Sequence, residues 1–227
     1  MMARRGALGL LGSLASLAVA GCDPFVRSAS YRFRMTVETE TPQGVKRGSS
    51  VMEVGAQKGS FSLGDKTGNG VGLAGEAVVV DLATGPIFVL LELPDARGPL
   101  ASMVTVALVP DAREGDGSNF FKAVKRLGGW FGSASAELPR ESWPMMVRFG
   151  NINDPKSVER VEPNQIGVRR IWLETTSEPV TTGIKLRLPW LVSQKQESSL
   201  DENFTSTIKP TLAQRLRHSN FRQGTDK

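Results

Sequence analysis

The chain of 227 residues contains one cysteine and one histidine, so it is poor in the side chains that carry most nucleophilic and metal chemistry. Cys22 follows an apolar run, and His218 lies in a polar segment far along the chain. The predicted folded domain between these two residues contains no cysteine and no histidine. This excludes Ser-His-Asp and Cys-His catalysis in it, and also zinc sites built on these ligands. We therefore predict no metal site, no cofactor and no disulfide, and the sequence points to no particular catalytic residue.

Long apolar runs are also scarce. The one extended run, Ala7 to Ala20, has about 14 residues, whereas a membrane-spanning helix needs about 20. Arg4 and Arg5 precede this run, and small residues follow it as far as Gly21. This order is typical of a secretory signal peptide, which we predict at residues 1–21. A buried core helix is the alternative, and the glycine and serine content disfavours it.

The end of the predicted signal peptide carries a more specific pattern. Val19-Ala20-Gly21-Cys22 resembles the lipobox of bacterial lipoproteins. The resemblance implies cleavage between Gly21 and Cys22, a diacylglycerol thioether on Cys22 and acylation, for example with palmitate, of the new amino terminus. Two or more acyl chains anchor a protein stably to a membrane. The resemblance thus implies a membrane-anchored protein that faces the periplasm. Asp23 favours the inner membrane slightly, by analogy with enteric bacteria.

Charge of one sign is not in large excess. Without the two arginines of the signal peptide, 26 of the 28 basic residues remain, and they exceed the 23 acidic residues by only three. No block of lysine and arginine is interleaved with aromatic residues, as a nucleic-acid surface would require. We therefore predict no nucleic-acid partner.

The remaining sequence divides into three parts by its apolar density. We predict a lipidated tether at 22–30, a single β-rich globular domain at 31–192, and a polar, largely disordered tail at 193–227. The tail is interrupted only by isolated apolar residues, with some helical character at 211–217. The predicted fold class is α+β, with a mainly antiparallel sheet or sandwich of about seven or eight strands and one or two helices.

Local patterns predict individual elements. Apolar and polar residues alternate over 31–38 and return over 45–54, after the turn sequence Thr41-Pro42-Gln43-Gly44, which predicts a hairpin. The near-continuous apolar runs at 76–82 and 87–91 predict central strands that are covered on both faces. The other predicted segments are an amphipathic helix at 118–128, a short helix capped by Asp154, strands at 144–149, 168–175 and 184–188, and a segment at 100–109 that fits either strand or helix.

Motifs for chemistry are weak. Gly70 to Gly75 matches G-x-G-x-x-G, but a loop precedes it and a strand follows, so we interpret it as a loop and not a dinucleotide site. The chemistry that remains is that of a serine with a lysine, or of carboxylates that could act in pairs, as in glycoside hydrolysis. The candidate carboxylates are Glu76, Asp81, Asp154 and Glu159, with a strand-end charge, a helix cap or a solvated face as the alternatives. Trp172 and Trp190 are candidate interaction residues, with a place at the edge of the core as the alternative.

The stretches YRFRMTVETETPQGVKRGSSVMEVG, VRFGNINDPKSVERVEP and VTTGIKLRLPWL resemble segments of an uncharacterised group of proteobacterial proteins. The resemblance spans most of 31–191 and implies no activity. Two function classes stay open. The first is a non-catalytic binding or assembly domain of the cell envelope, with an envelope protein or glycan as partner and a lipid anchor in the membrane. The second is a carboxylate-dependent envelope enzyme such as a glycan hydrolase.

Overall fold

The computed structural model describes residues 27–58, 70–94, 98–113, 118–193, 198–201 and 209–224. The predicted signal peptide and Cys22 lie outside the described residues. The strands are β1 (Arg27–Thr41), β2 (Gly44–Lys58), β3 (Gly70–Glu76), β4 (Val78–Leu82), β5 (Gly85–Val89), β6 (Ser135–Glu137), β7 (Met146–Phe149), β8 (Val158–Arg160), β9 (Val168–Thr175) and β10 (Arg222–Gln223). The helices are α1 (Leu100–Leu108), α2 (Ser118–Leu127), α3 (Ile184–Arg187) and α4 (Leu212–Arg215).

The strands form two antiparallel sheets, and the fold is α+β and rich in strand, which confirms the predicted class. Within the described residues the larger sheet has six strands in the order β10-β3-β2-β1-β9-β6, and the smaller sheet has four in the order β4-β5-β7-β8. Short helical turns of 3-10 type connect the elements, at Pro110–Arg113, Arg140–Ser142, Pro155–Ser157, Pro189–Val192 and His218–Asn220.

The β1–β2 hairpin is the centre of the larger sheet. Its ladder runs from Arg27 opposite Lys58 to Thr41 opposite Gly44, so the predicted hairpin is confirmed and is longer than expected. Four residues assigned to the tether, 27–30, already belong to β1. Because side chains alternate between the faces of a strand, one face of β1 is apolar and buried and the other carries charged residues.

The first core lies on the apolar face of the larger sheet, under α1 and α2. Leu100, Val104 and Leu108 are buried at helical spacing, so the segment that fitted either strand or helix is a helix. The Thr105 hydroxyl donates to the Ala101 carbonyl oxygen (2.7 Å) and lies 2.9 Å from the Tyr31 hydroxyl. This satisfies two polar groups inside the core, and burial raises the pKa of Tyr31.

The smaller sheet is covered on both faces, as its near-continuous apolar runs predicted, but β4 is an edge strand and not a central one. Val80, Ile87 and Val89 belong to the first core, whereas Phe88 and Leu90 belong to a second core on the opposite face. This second core is closed by α3, the turn Pro189–Val192 and the C-terminal segment, which contribute Ile184, Leu188, Leu191, Leu200, Ala213, Leu216 and Phe221.

The C-terminal segment corrects the prediction of a disordered tail for residues 198–201 and 209–224. Phe221 is completely buried, and its carbonyl oxygen accepts a hydrogen bond from the Ala77 backbone N–H (2.8 Å). The Asn220 carbonyl oxygen accepts one from the Leu91 N–H (2.8 Å), and β10 pairs with β3. The segment has few apolar residues, but several of them are buried in the second core, so its low average hydrophobicity was misleading.

Two further local predictions are wrong. Residues 184–187 form a helical turn and not a strand, and residues 70–76 form strand β3 and not a loop. Ile184 and Leu188, four positions apart, are buried, whereas Leu186 between them is exposed, which is helical spacing. Apolar residues over four or five positions fit either period, so the sequence did not distinguish a helical turn from a strand. The helix predicted at 118–128 is found at 118–127, the strand predicted at 144–149 is found at 146–149, and the strand at 168–175 is found as predicted. Asp154 is a cap as predicted, but it caps a 3-10 turn of three residues that is followed by β8.

Candidate functional site

The candidate carboxylates at the end of β3 and within β4 have structural contacts. Glu76 is buried and accepts a hydrogen bond from the Ile184 N–H (2.8 Å), and its carboxylate lies 3.2 Å from the Arg222 guanidinium. Glu76 therefore joins three distant segments: the end of β3, the start of α3 and β10. Asp81 forms an ion pair with Arg187 at the surface.

The other two candidate carboxylates also form structural contacts. Asp154 accepts a hydrogen bond from the Lys156 N–H (2.9 Å) and caps the turn Pro155–Ser157. Glu159 forms a cross-strand ion pair with Arg148 (2.9 Å), and both side chains are more than half exposed. Each candidate thus has a separate local contact. Across the described ranges there is also no cluster of three or more histidine, cysteine or acidic residues that could hold a metal ion.

His218 lies in the folded body and not in a disordered tail, which corrects the view of a body without histidine. Its side chain is buried, and Nε2 lies 3.1 Å from the Leu191 carbonyl oxygen. Nearby, Asn220 donates to the carboxylate of Glu92, and burial raises the pKa of Glu92 against the opposing effect of two arginines. These contacts hold the C-terminal segment on the second core.

The two tryptophans singled out from the sequence occupy different environments. Trp190 packs against Phe149 and Phe221, each with ring centroids 5.6 Å away, and its indole N–H donates to the Ile152 carbonyl oxygen (3.2 Å). This is the core-edge arrangement that the sequence left open. Trp172 is half-buried in β9, with the Arg170 guanidinium 5.6 Å above its ring.

Among the residues that the structure describes, the most exposed aromatic side chains lie elsewhere, and the sequence analysis missed them. Trp130 is 95% exposed and Phe131 is 94% exposed, directly after α2. We call residues 128–133 the aromatic tip. The sequence signal was Gly-Gly-Trp-Phe-Gly after the last buried residue of the helix, Leu127. Large exposed aromatic residues in a group are uncommon on soluble surfaces and mark sites of interaction.

Glycine packing shapes the backbone of the aromatic tip. A Cβ on Gly128 would lie 2.0 Å from the Ser30 carbonyl oxygen, and one on Gly132 would lie 2.2 Å from that of Leu127. Only glycine permits such close approaches. The Gly132 N–H also donates to the Gly129 carbonyl oxygen (3.0 Å). The turn is therefore packed against β1, and it presents two adjacent aromatic side chains to solvent.

The surroundings of the aromatic tip are basic. Residues 27–30, 55–58 and 122–133 contain no aspartate or glutamate. We call these three segments together the tip end of the molecule. They carry five exposed basic side chains: Arg27, Lys58, Lys122, Lys125 and Arg126. Two acidic residues adjoin these segments: Glu53 lines the cleft beside the tip, and Asp111 lies beside Lys122 and Arg126. Basic residues are therefore in excess at the tip end, but acidic residues are not absent from its surroundings.

A polar cleft of about 460 Å³ lies beside the aromatic tip. It is bounded by the start of β1, the tip itself and residues 175–177. Arg32 and Glu53 line it and form an ion pair at 3.8 Å, and Arg32 also donates to the Glu178 carbonyl oxygen (2.7 Å). Hydroxyl, charged and aromatic groups thus meet at one edge of the fold.

Comparison of the chain with protein families, curated proteins and solved structures finds no match. Among the helices of the described ranges, none has the length and apolar character to cross a membrane. Gly21 and Cys22, the predicted cleavage and lipidation residues, lie outside the described residues.

Proposed function

We propose that the protein is a membrane-anchored periplasmic lipoprotein whose domain binds or assembles with a partner in the cell envelope. The lipobox resemblance at Val19-Ala20-Gly21-Cys22 supports the anchor. The length of the tether supports a position close to the membrane. Arg27, the first residue of β1, lies five positions after Cys22, so their Cα atoms are at most about 18 Å apart.

The observation that carries this proposal is the position of the aromatic tip at the end of the domain where β1 begins. Gly128 packs directly against Ser30, and the polar cleft starts at the same residue. The hairpin turn at 42–43 lies at the other end of β1, about 45 Å away for a strand of 15 residues. An anchor on Cys22 therefore keeps the candidate binding surface within reach of the membrane.

A binding role has more support than the alternative, a carboxylate-dependent enzyme. Each of the four candidate carboxylates forms a cap or an ion pair in a different part of the fold. Glycoside hydrolysis needs two carboxyl groups facing one substrate bond. The polar cleft suits a polar envelope partner, a protein or a glycan. Asp23 favours the inner membrane slightly.

The anchor is tested by expressing the full chain and its Cys22→Ala variant in a bacterium that processes lipoproteins. We expect wild type to appear as a mature chain beginning at Cys22, with lipid mass on that residue, in the membrane fraction. The variant should remain an unprocessed precursor without added lipid. If the variant is processed and fractionates with membranes as wild type does, the lipoprotein proposal is wrong.

The binding role is tested by photocrosslinking in cells from a residue that lines the polar cleft. A photoreactive amino acid at Thr176 should give a discrete crosslinked product, because this residue lies at the cleft. The matched control is the same amino acid at Val45, which is exposed at the opposite end of the hairpin. Equal products from both positions would contradict a specific surface at the tip end.

A further inference from the structure

We propose that Trp130 and Phe131 insert into the lipid interface of the membrane to which Cys22 is anchored. This inference rests on the proposed lipoprotein and names the partner of the aromatic tip. The tip thereby becomes a second attachment point, which sets the orientation of the domain on the bilayer. The polar cleft would then lie at the level of the lipid headgroups.

The side chains of the aromatic tip fit this environment. Tryptophan is enriched at membrane–water interfaces because its ring is apolar and its indole N–H is polar. Trp130 and Phe131 are adjacent and each more than nine-tenths exposed, so inserting the pair removes both rings from water together. By contrast, the aromatic ring of Trp190 is already packed within the second core.

The backbone of the aromatic tip is ordered without a partner. Gly128 and Gly132 approach carbonyl oxygens too closely for any larger residue, and backbone hydrogen bonds close the turn. Binding by an already ordered segment loses less conformational entropy than binding by a segment that must first fold. The two rings are therefore presented in a form that favours insertion.

The charge of the tip end complements an anionic bilayer. Five exposed basic side chains occupy the segments around the tip. They outnumber the adjoining acidic residues, which are Glu53, paired with Arg32, and Asp111, beside Lys122 and Arg126. Basic residues next to a membrane are attracted by the negative surface potential of anionic lipids, and this attraction decays within a Debye length. A lipid surface is favoured over a protein partner here, because one surface satisfies both the apolar rings and the positive charge.

The reach of the chain allows the aromatic tip to contact the membrane. Ser30, which contacts Gly128, lies eight positions after Cys22, so their Cα atoms are at most about 29 Å apart. Three of the positions between them, residues 27–29, belong to β1. A lipid on Cys22 thus brings the bilayer within reach of the aromatic tip without bending the sheet.

The test uses the purified, lipidated full-length product in vesicles of phosphatidylethanolamine and phosphatidylglycerol that contain nitroxide-labelled lipid. Nitroxides quench tryptophan fluorescence at short range. We expect quenching in wild type and loss of most of it in Trp130→Phe. The matched control is Trp172→Phe, since Trp172 is half-buried opposite Thr36, about 20 Å along β1 from Ser30. The control should keep the wild-type quenching.

A second variant separates insertion from attraction by charge. The double variant Trp130→Ser/Phe131→Ser keeps the lipid anchor and the basic residues. It should stay bound to the vesicles, but its domain should no longer hold a fixed orientation on the bilayer. Photocrosslinking from residue 131 in wild-type vesicles should label lipid. Labelling of a protein in cells, with no lipid labelled, would overturn the inference and assign the tip to a protein partner.

The outcomes for the two proposals are distinguishable by mass spectrometry of Cys22. The inference about the tip alone is wrong if Cys22 carries lipid and Trp130→Phe is quenched as strongly as the control Trp172→Phe. It is also wrong if Cys22 carries lipid and wild type shows no quenching. If Cys22 carries no lipid, the lipoprotein proposal is wrong, and with it the inference that depends on the anchor.

Discussion

Two aromatic groups in this molecule have opposite environments. Phe88, Phe149, Trp190 and Phe221 pack edge to face or tilted in the second core, with centroids 5.6 to 6.3 Å apart. Trp130 and Phe131 are almost fully exposed on a packed turn. The residue types are the same in both groups. The difference is whether another part of the chain covers them, and this is a property of the fold and not of the local sequence.

The largest expected effect comes from removing a ring in the first group. Phe221→Ala should lower the free energy of unfolding by about 3–5 kcal/mol, since it leaves a cavity against three aromatic rings. Chemical denaturation followed by fluorescence measures this. The matched control is Phe131→Ala, which should change the free energy of unfolding by less than about 0.5 kcal/mol. Similar losses of unfolding free energy in both variants would mean that the two aromatic groups do not differ in burial.

The attachment of the C-terminal segment gives the next largest effect. Arg222→Met removes the positive charge beside the buried Glu76 carboxylate, and the hydrogen bond from the Ile184 N–H compensates for the burial of that charge only in part. We therefore expect the free energy of unfolding to fall by about 2–3 kcal/mol. Adding Glu76→Gln to this variant should recover part of the loss, because it removes the buried charge. If the double variant is as unstable as the sum of the two single variants, the pair does not act as a unit.

Trp172 is intermediate in exposure between the two aromatic groups. The arginine that covers it also binds Glu38, and the ionisation of Glu38 makes the stability of this region depend on pH. Hydrogen bonds from Arg170, which also covers Trp172, and from Arg47 lower the pKa of Glu38 to about 2. The folded pKa lies below the ordinary value of 4.5, so this stabilisation is present above pH 4.5 and is lost as the pH falls toward 2. Because both arginines are partly exposed, we expect a loss on the order of 1–2 kcal/mol.

The variant Glu38→Gln checks this origin. It should flatten the dependence of the unfolding free energy on pH between 4.5 and 2, as measured by denaturation at a series of pH values. The control Glu159→Gln, at an exposed ion pair, should leave the dependence almost unchanged. An unchanged slope in Glu38→Gln would assign the acid sensitivity to other groups.

The smallest effect on stability is expected at the aromatic tip. Trp130→Ser/Phe131→Ser should leave the free energy of unfolding within about 0.5 kcal/mol of wild type, since the two rings are exposed. Gly128→Ala is the contrasting change, because its Cβ would collide with the Ser30 carbonyl oxygen. Thermal unfolding compares the two. A stable Gly128→Ala variant would show that the tip is not packed tightly against β1.

Patterns with a clear period were predicted well. The alternation that begins at Tyr31, the turn at Thr41 and the amphipathic face of α2 each reflect local geometry, and each is found in the structure. The apolar runs at 76–82 and 87–91 also indicated two covered faces correctly. What the sequence could not identify was the cover for the second face, since the covering residues are isolated in a polar segment.

The candidate site was predicted least well. Trp172 and Trp190 stood out because they lie in or beside apolar segments, but the same apolar context leads to partial or full packing. Trp130 and Phe131 lie between glycines, where no period indicates a face. Their exposure depends on the contact of Gly128 with Ser30, which are nearly a hundred positions apart in the chain.

The sequence by itself determined the long central hairpin, the helix at 118–127 and the α+β class, because the spacing of apolar residues is a local property that follows the period of each element. The tertiary structure decided which aromatic residues are covered, where His218 and the C-terminal segment pack, and which end of the sheet carries the aromatic tip. These outcomes depend on contacts between residues far apart in the chain, and local composition does not encode which distant segment supplies the cover.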